Sequence, residues 1–416
     1  MLKLLSLFLL IFFIAESKSQ LKFSFENPAI KSEIFDIQTD TLFTIYFLCK
    51  IPYNILIFQK VNSNFSTSLE MLFEIKNDDN EVVKRKLEKE FLILDNYDLT
   101  KSKDKFIVKS VNFELPEGSY ILFVSFVDLN SNKIIHKSNY SLNLGSIQKK
   151  LQSLVVNKEK KLEENRFEVV LFNNFIPHSA DYFDLIVFTS NEISNIDEIF
   201  IKGKDLKQEL IFEKLVYQNI KIQESEDKIW LIFLSDSLFD NSNNALLLRN
   251  VNKNLLEGDY IIEFMLNEKK IFEMPVKVKW FNKPETLNNI DLALEMIEFI
   301  EEIKLRTLFS SETEKKNKLY EYWKTRDPTP NTAFNELMNE FYKRVDYAQK
   351  EFASLSQRNG AKTDRGKTYI KNGYPDKVER NVNKEGKVVE TWYYDNPQRV
   401  FYFIDLKGDG HFKFNQ

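Results

Sequence analysis

Cysteine is almost missing from this chain: there is one, Cys49, in 416 residues. A lone thiol excludes intramolecular disulfides and cysteine-based zinc clusters. Its place in the apolar run 42–49 marks it as a packed core residue rather than a nucleophile. Histidine is nearly as scarce, and His136, His178 and His411 are too scattered to suggest a His-ligated metal site, so no metal is expected. Glycine and proline, ten of each, are too few for collagenous, linker-like or glycine-rich loop architectures. Charge of one sign is also lacking. With 58 Lys and Arg against 62 Asp and Glu, the formal net charge of −4 gives no footprint for a duplex nucleic-acid binder. What is present is apolar and aromatic: 43% hydrophobic residues, 37 of them Phe, enough for large cores. Phe and Ile favour strands. At about 100–200 residues per domain, the length implies two to four domains.

The chain begins MLKLLSLFLLIFFIAESKSQ, with Lys3 before an unbroken apolar run from Leu4 to Ile14 and a polar, small-residue stretch after it. This pattern is that of a secretory signal peptide over residues 1–19. The run falls short of the roughly 20 residues needed to cross a bilayer, and no later run reaches that length. Ser17 and Ser19 fit a small-x-small cleavage site. No cysteine follows the run, which excludes a bacterial lipoprotein anchor there. The mature protein is therefore expected outside the cytoplasm, in the periplasm or at the cell surface, with no transmembrane anchor.

The fold class read from the pattern is mainly β with a C-terminal α+β domain. Residues 20–146 carry short β-branched and aromatic runs separated by Asn, Asp, Ser and Lys turns, among them 41–49, 54–60, 68–76 and 119–129, and predict an antiparallel β-sandwich. In the last run both faces are apolar, which predicts a central strand. Residues 150–281 repeat the style at 166–174, 184–190, 228–236 and 259–266 and predict a second β-sandwich. The two share an echo: Leu115-Pro116-Glu117-Gly118-Ser119-Tyr120 and Leu256-Glu257-Gly258-Asp259-Tyr260 each head a strand and then a hairpin, with the glycine supplying a turn conformation. At Lys283-Pro284 the period changes to 3.6. Helices are predicted from Asp291 to Leu305, from a capping box at Ser311 and Glu314 through Trp323, and along the stripe Phe334 to Phe352. Strands are then expected at 367–373, 387–394 and 399–406, so that 284–416 forms a helical segment followed by a small β-meander.

Several tempting motifs fail on their context. Ala361 to Thr368 satisfies a relaxed phosphate-loop pattern, but it lacks a preceding buried strand and has one internal glycine, so no nucleotide is expected. Asp405-Leu406-Lys407-Gly408-Asp409-Gly410 lacks the distal bidentate Glu of a calcium loop and reads as a hairpin turn. Asp364, Asp376 and Asp405 show no spacing that defines a general acid/base pair. The 341–380 segment, with ten Lys and Arg against five Asp and Glu, reads as a solvated basic face. Trp392-Tyr393-Tyr394 and Phe401-Tyr402-Phe403 are mostly core, since alternate residues of a half-buried strand face inward, and Tyr393 is the ring left for a ligand.

Taken in order, Tyr322 to Pro330, Gly360-Ala361-Lys362-Thr363-Asp364-Arg365-Gly366, Tyr369 to Asp376 and Glu390 to Tyr394 closely resemble the GWxTD domain of exported proteins in Bacteroidetes-type bacteria. The signature tryptophan is Ala361 in this chain. The resemblance covers about 284–416, and the β-rich region before it, with Ile51-Pro52-Tyr53, looks like the one that commonly precedes that domain. It implies an exported location and an architecture but no reaction.

The residues set apart as an interaction or structural signature are Trp323, Arg326, Asp327, Gly360, Thr363, Asp364, Arg365, Gly366, Tyr374, Pro375, Trp392 and Tyr393. A pairing of Asp327 or Asp364 with Arg326 or Arg365 is expected to tie the helices to the meander. No catalytic residue and no cofactor is assigned. The expected function is that of a non-enzymatic cell-envelope protein whose C-terminal domain binds an envelope protein partner. A glycan- or peptidoglycan-binding protein using Tyr393 is the alternative. A hydrolase with a pocket around Asp364, Asp376 or Asp405 is the second.

Overall fold

The computed structural model describes residues 27–39, 41–145, 151–158, 165–189, 196–204, 206–234, 243–305 and 311–415. The proposed signal peptide lies outside the described residues. Two compact units are present: the described residues of Met1–Asn174, Leu185–Ile196 and Phe212–Leu248 form the first, and those of Phe175–Asp184, Asp197–Ile211 and Arg249–Gln416 the second.

The first part of the chain gives β1 (Lys31–Thr39), β2 (Leu42–Pro52), β3 (Gln59–Val61), β4 (Asn64–Lys76), β5 (Val82–Leu94), β6 (Phe106–Leu115), β7 (Gly118–Asp128) and β8 (Lys133–Leu144). The run read as one strand over 54–60 is instead a 3-10 turn at Tyr53–Ile55 followed by the short β3. Then come β9 (Gln152–Lys158), β10 (Arg166–Val169), β11 (Phe175–Pro177), β12 (Asp184–Thr189), β13 (Glu198–Lys202), β14 (Lys207–Glu209), β15 (Phe212–Tyr217), β16 (Asn219–Ser225), β17 (Lys228–Leu234), β18 (Asn243–Leu248), β19 (Gly258–Leu266) and β20 (Lys269–Lys279).

In the first unit a small sheet ordered β1-β2-β6 serves two cores. Ile45, Phe47, Cys49 and Ile51 of β2 pack with Met71 and Phe73 of β4 and Val124 and Phe126 of β7. The alternate residues Tyr46 and Leu48 pack with Phe35, Leu154, Phe167 and Phe233. The second group belongs with a seven-stranded sheet, β15-β18-β12-β9-β10-β17-β16. β2 therefore reads as a continuous apolar run because both of its faces are covered. The burial of one side chain such as Phe47, fully enclosed, contributes about 1.5–3 kcal/mol. β7 lies between β4 and β8, as its two apolar faces predict. Its hairpin with β8 and that of β19 with β20 carry the sequence echo into detail. The Tyr120 hydroxyl donates to the Pro116 carbonyl at 3.3 Å, and the Tyr260 hydroxyl to the Leu256 carbonyl at 3.0 Å. Each hairpin shifts register just after a phenylalanine, Phe126 and Phe264. Only one glycine of the pair needs its freedom: Gly118 has φ +155°, whereas Gly258 is not among the positive-φ residues.

The second unit contains a five-stranded sheet ordered β11-β20-β19-β13-β14. After it come α1 (Ile290–Glu301), α2 (Glu312–Lys324), α3 (Glu336–Glu351) and α4 (Asp364–Asn372), then the antiparallel meander β21 (Lys377–Val382), β22 (Val388–Asp395), β23 (Gln398–Asp405) and β24 (Phe412–Asn415). Each helix start has a polar reason. The Asn289 side chain accepts from Leu292, Ser311 and Glu314 form the expected capping box, and Asn335 accepts from Met338 while donating to the Trp323 carbonyl. One apolar cluster joins the helices to the meander: Leu294, Ile297, Trp323, Tyr342, Val345, Phe352, Ile370, Trp392 and Phe403 are all part of it.

One element departs from expectation. The strand expected over 367–373 is instead helical as far as Asn372, the body of α4, with Gly373 as its C-cap. Thr363 at the N-cap decides it, because its side chain takes the Gly366 amide that a helix would otherwise leave without a partner.

Candidate functional site

Five signature residues, Gly360, Thr363, Asp364, Arg365 and Gly366, meet at the start of α4. Gly360–Lys362 make a 3-10 turn into the Thr363 cap, and the Thr363 hydroxyl also donates to the Gly360 carbonyl at 2.7 Å. Both glycines exist here for space. A Cβ on Gly360 would lie 2.2 Å from the Ala348 carbonyl oxygen of α3, and one on Gly366 would lie 2.0 Å from that of Gly360. No side chain fits at either position. Ala361, where the signature tryptophan is replaced, is fully enclosed in the apolar cluster. The phosphate-loop reading also fails at atomic level: the amides of Gly366 and Lys367 are taken by Thr363, and the Lys367 ammonium by Glu302.

Arg365, the second residue of α4, turns inward and is 8% exposed. Its expected aspartate partner is corrected: the ion pair is with Glu390 of β22, at 3.2 Å. Glu390 is itself buried and saturated, taking Arg380 at 3.0 Å and the Trp392 indole N–H at 2.6 Å. The Arg365 guanidinium lies 4.1 Å from the Phe412 ring centroid and donates to the Gly410 carbonyl. Burial lowers its pKa, and Glu390 opposes that shift. Asp364 faces the other way and accepts the Phe414 amide at 2.9 Å. Asp327 does not join this network. It caps the turn after α2 by accepting from Thr329, while Arg326 folds over the Tyr322 ring, 3.8 Å from its centroid. Trp323 and Trp392 are buried core rings. Trp323, Gly360, Thr363, Arg365, Gly366, Pro375 and Trp392 are thus the buried part of the signature, and an exchange of any of them would act on folding first.

The exposed part of the signature lies elsewhere. Pro375 is buried, but Tyr374 beside it is 73% exposed. Tyr369 of α4 stacks on Tyr347 of α3 at 4.8 Å, and Tyr374 meets Tyr369 edge-on at 6.4 Å. Arg344 borders the group, bonding Glu340 and the Ile370 carbonyl. Tyr347 and Arg344 escaped the sequence reading. The available signal is that Tyr347 sits off the apolar stripe of α3, an aromatic ring on a polar face. A second aromatic pair lies on the outer face of the meander: the half-buried Tyr393, held by its hydroxyl to Glu379, and the exposed Tyr402.

The acids set aside for a hydrolase are each occupied with backbone. Asp376 accepts the Asp395 amide, and Asp405 accepts those of Gly408 and Gly410, closing the hairpin turn expected there. Among the described residues no three His, Cys, Asp or Glu side chains are grouped to hold a metal ion. No helix among them is long and apolar enough to cross a membrane.

Comparison with known proteins agrees with the motif order. Residues 258–412 match the family model of the GWxTD domain, so the chain carries that domain. The match begins at the β19–β20 hairpin, 26 residues before the Pro284 boundary read from the period change. No curated protein matches the chain. Among solved structures, the crystal structure of BcpA, the major pilin subunit of Bacillus cereus, is similar at 12% identity over 51% of this chain and 69% of that one, with a TM-score of 0.13.

Proposed function

We propose that this is an exported, non-enzymatic cell-envelope protein whose GWxTD domain binds another envelope protein. The observation that carries this reading is the Tyr347, Tyr369 and Tyr374 cluster bordered by Arg344. Tyrosine and arginine dominate binding hot spots because they bring large contact area with a polar end, at little cost in conformational freedom. Tyr347 and Tyr369 stand on α3 and α4 and Tyr374 on the turn after α4, and the Arg365–Glu390 pair fixes α4 to the meander, so the surface is pre-formed. Export rests on the N-terminal sequence pattern.

The test is photocrosslinking in the native cells from probes placed at positions 347 and 374, followed by mass spectrometry. One envelope protein attached at both positions, and lost when Tyr369→Asp is added, is the expected result. An absence of any protein product at both positions defeats the reading. A second reading, glycan binding, is favoured by Tyr393 and Tyr402 on the open face of the meander. It requires that peptidoglycan fragments bind the protein and that Tyr393→Ala weakens them.

A further inference from the structure

The first unit leaves one long edge open. β5 pairs with β4 from Val82 opposite Lys76 to Leu94 opposite Phe65, with a register shift that leaves Val83 without an opposite residue, and among the described residues no strand pairs with its other side. Thirteen residues of edge, about 40 Å at the usual strand rise, form a template for another strand.

The side chains of β5 specify which strand. On one face lie Val83, Leu87 and Phe91, 42%, 56% and 65% exposed. On the other face lie Lys84, Lys86, Glu88 and Glu90, two cations followed by two anions. This order is antisymmetric about Leu87. An antiparallel copy of β5 centred on Leu87 sets Lys84 opposite Glu90 and Lys86 opposite Glu88, and it sets Val83 opposite Phe91 and Leu87 opposite itself. Arg85 then meets Lys89, and both are already neutralised within their own sheet, by Glu74 and by Glu70 at 3.2 Å. Moving the two-fold centre by one residue, to Glu88 or to Lys86, places Glu88 against Glu88, or Lys86 against Lys86. Parallel pairing in register opposes every charge to its own kind.

We propose that β5 is the two-fold interface of a homodimer, pairing antiparallel with β5 of a second copy about Leu87. The pairing satisfies the isologous rule that the same patch serves both subunits. It joins the two outer sheets into one continuous sheet across the axis. Within one chain Lys109 is, among the described residues, the one cation that serves Glu88 and Glu90, at 3.2 and 2.6 Å. The second copy's Lys86 and Lys84 supply the missing cations. The same charges reject other registers and strands of other sequence, so the edge is selective rather than aggregation-prone.

Sedimentation velocity on the full chain tests this, with two charge variants and their mixture. The wild type is expected at twice the 49.4 kDa chain mass. Lys84→Glu with Lys86→Glu makes the charged face of the strand uniformly acidic, Glu88→Lys with Glu90→Lys makes that face uniformly basic, and each alone is expected to run as a monomer. Mixed in equal amounts they are expected to regain the dimer. Because the basic variant crowds Lys109, Leu87→Asp provides a dissociating change that leaves Lys109 untouched, and circular dichroism confirms that each variant is folded. A monomeric wild type overturns the proposal, whether the edge is then closed by its charges or kept for another protein. A dimer that survives all three variants overturns it too, because the interface would lie elsewhere.

Discussion

Gly366 shows what a single residue decides in this fold. Its missing Cβ would lie within bonding range of the Gly360 carbonyl oxygen, so Gly366→Ala must push α4 off its cap. The expected cost is roughly 3 kcal/mol or more, at the upper end for overpacking because the obstacle is backbone, read as a fall in the denaturation midpoint. Glu33 gives a residue-scale effect with a pH signature. Its carboxylate is 4% exposed and accepts the amides of Phe172 and Asn174, yet burial pushes its pKa from 4.5 up to about 7. The folded protein therefore keeps this proton to higher pH than the unfolded chain. Its stabilising contribution, on the order of 3 kcal/mol, is full below pH 4.5 and is lost as pH rises through about 7. Thermal melts between pH 5 and 8 should show this decline, and Glu33→Gln should flatten it. Arg365 was legible in the sequence as a tie between the helices and the meander, but its burial and its partner were not. The motif places two aspartates nearby, whereas the carboxylate that pairs with Arg365 is Glu390, 25 residues on, brought there only when the meander packs on α4.

At the scale of elements, the helices show how local signals and packing divide the work. α1, α2 and α3 were legible because an apolar stripe and a polar cap agree in each. α4 was not, because Thr368-Tyr369-Ile370 favours strand while the deciding cap, Thr363, lies upstream in a stretch read as turn. Thr363→Ala removes both the bond to the Gly366 amide and the bond to the Gly360 carbonyl. It should cost about 1–2 kcal/mol, while Thr363→Ser, which keeps the hydroxyl, should cost much less. Chemical denaturation of the two variants side by side separates the cap from the methyl group. The strands of the first half were legible for the same reason as the helices, with alternation in β4 and a two-sided apolar run in β2. That β2 serves two cores was not, since one strand's sequence tells that both faces are covered but not by which sheets.

For the whole molecule, the informative feature is that the two compact units are not consecutive in the chain. The second unit draws β11, β13 and β14 from before residue 212 and the rest from after Leu248. A fragment cut at Arg249 therefore loses three of the five strands around β19 and β20 and should be insoluble. A fragment of 284–416 should instead fold alone with four helices and the meander, because every residue of its apolar cluster lies within it. Circular dichroism and amide dispersion in NMR spectra check both. Cys49, finally, is enclosed between β4, β7 and β6 with no solvent exposure, and burial pushes its thiol far above the ordinary range. With no other sulfhydryl in the chain, this atom is a built-in stopwatch: the rate at which an alkylating reagent consumes it counts how often the first core opens, with no engineered label and no background from the second.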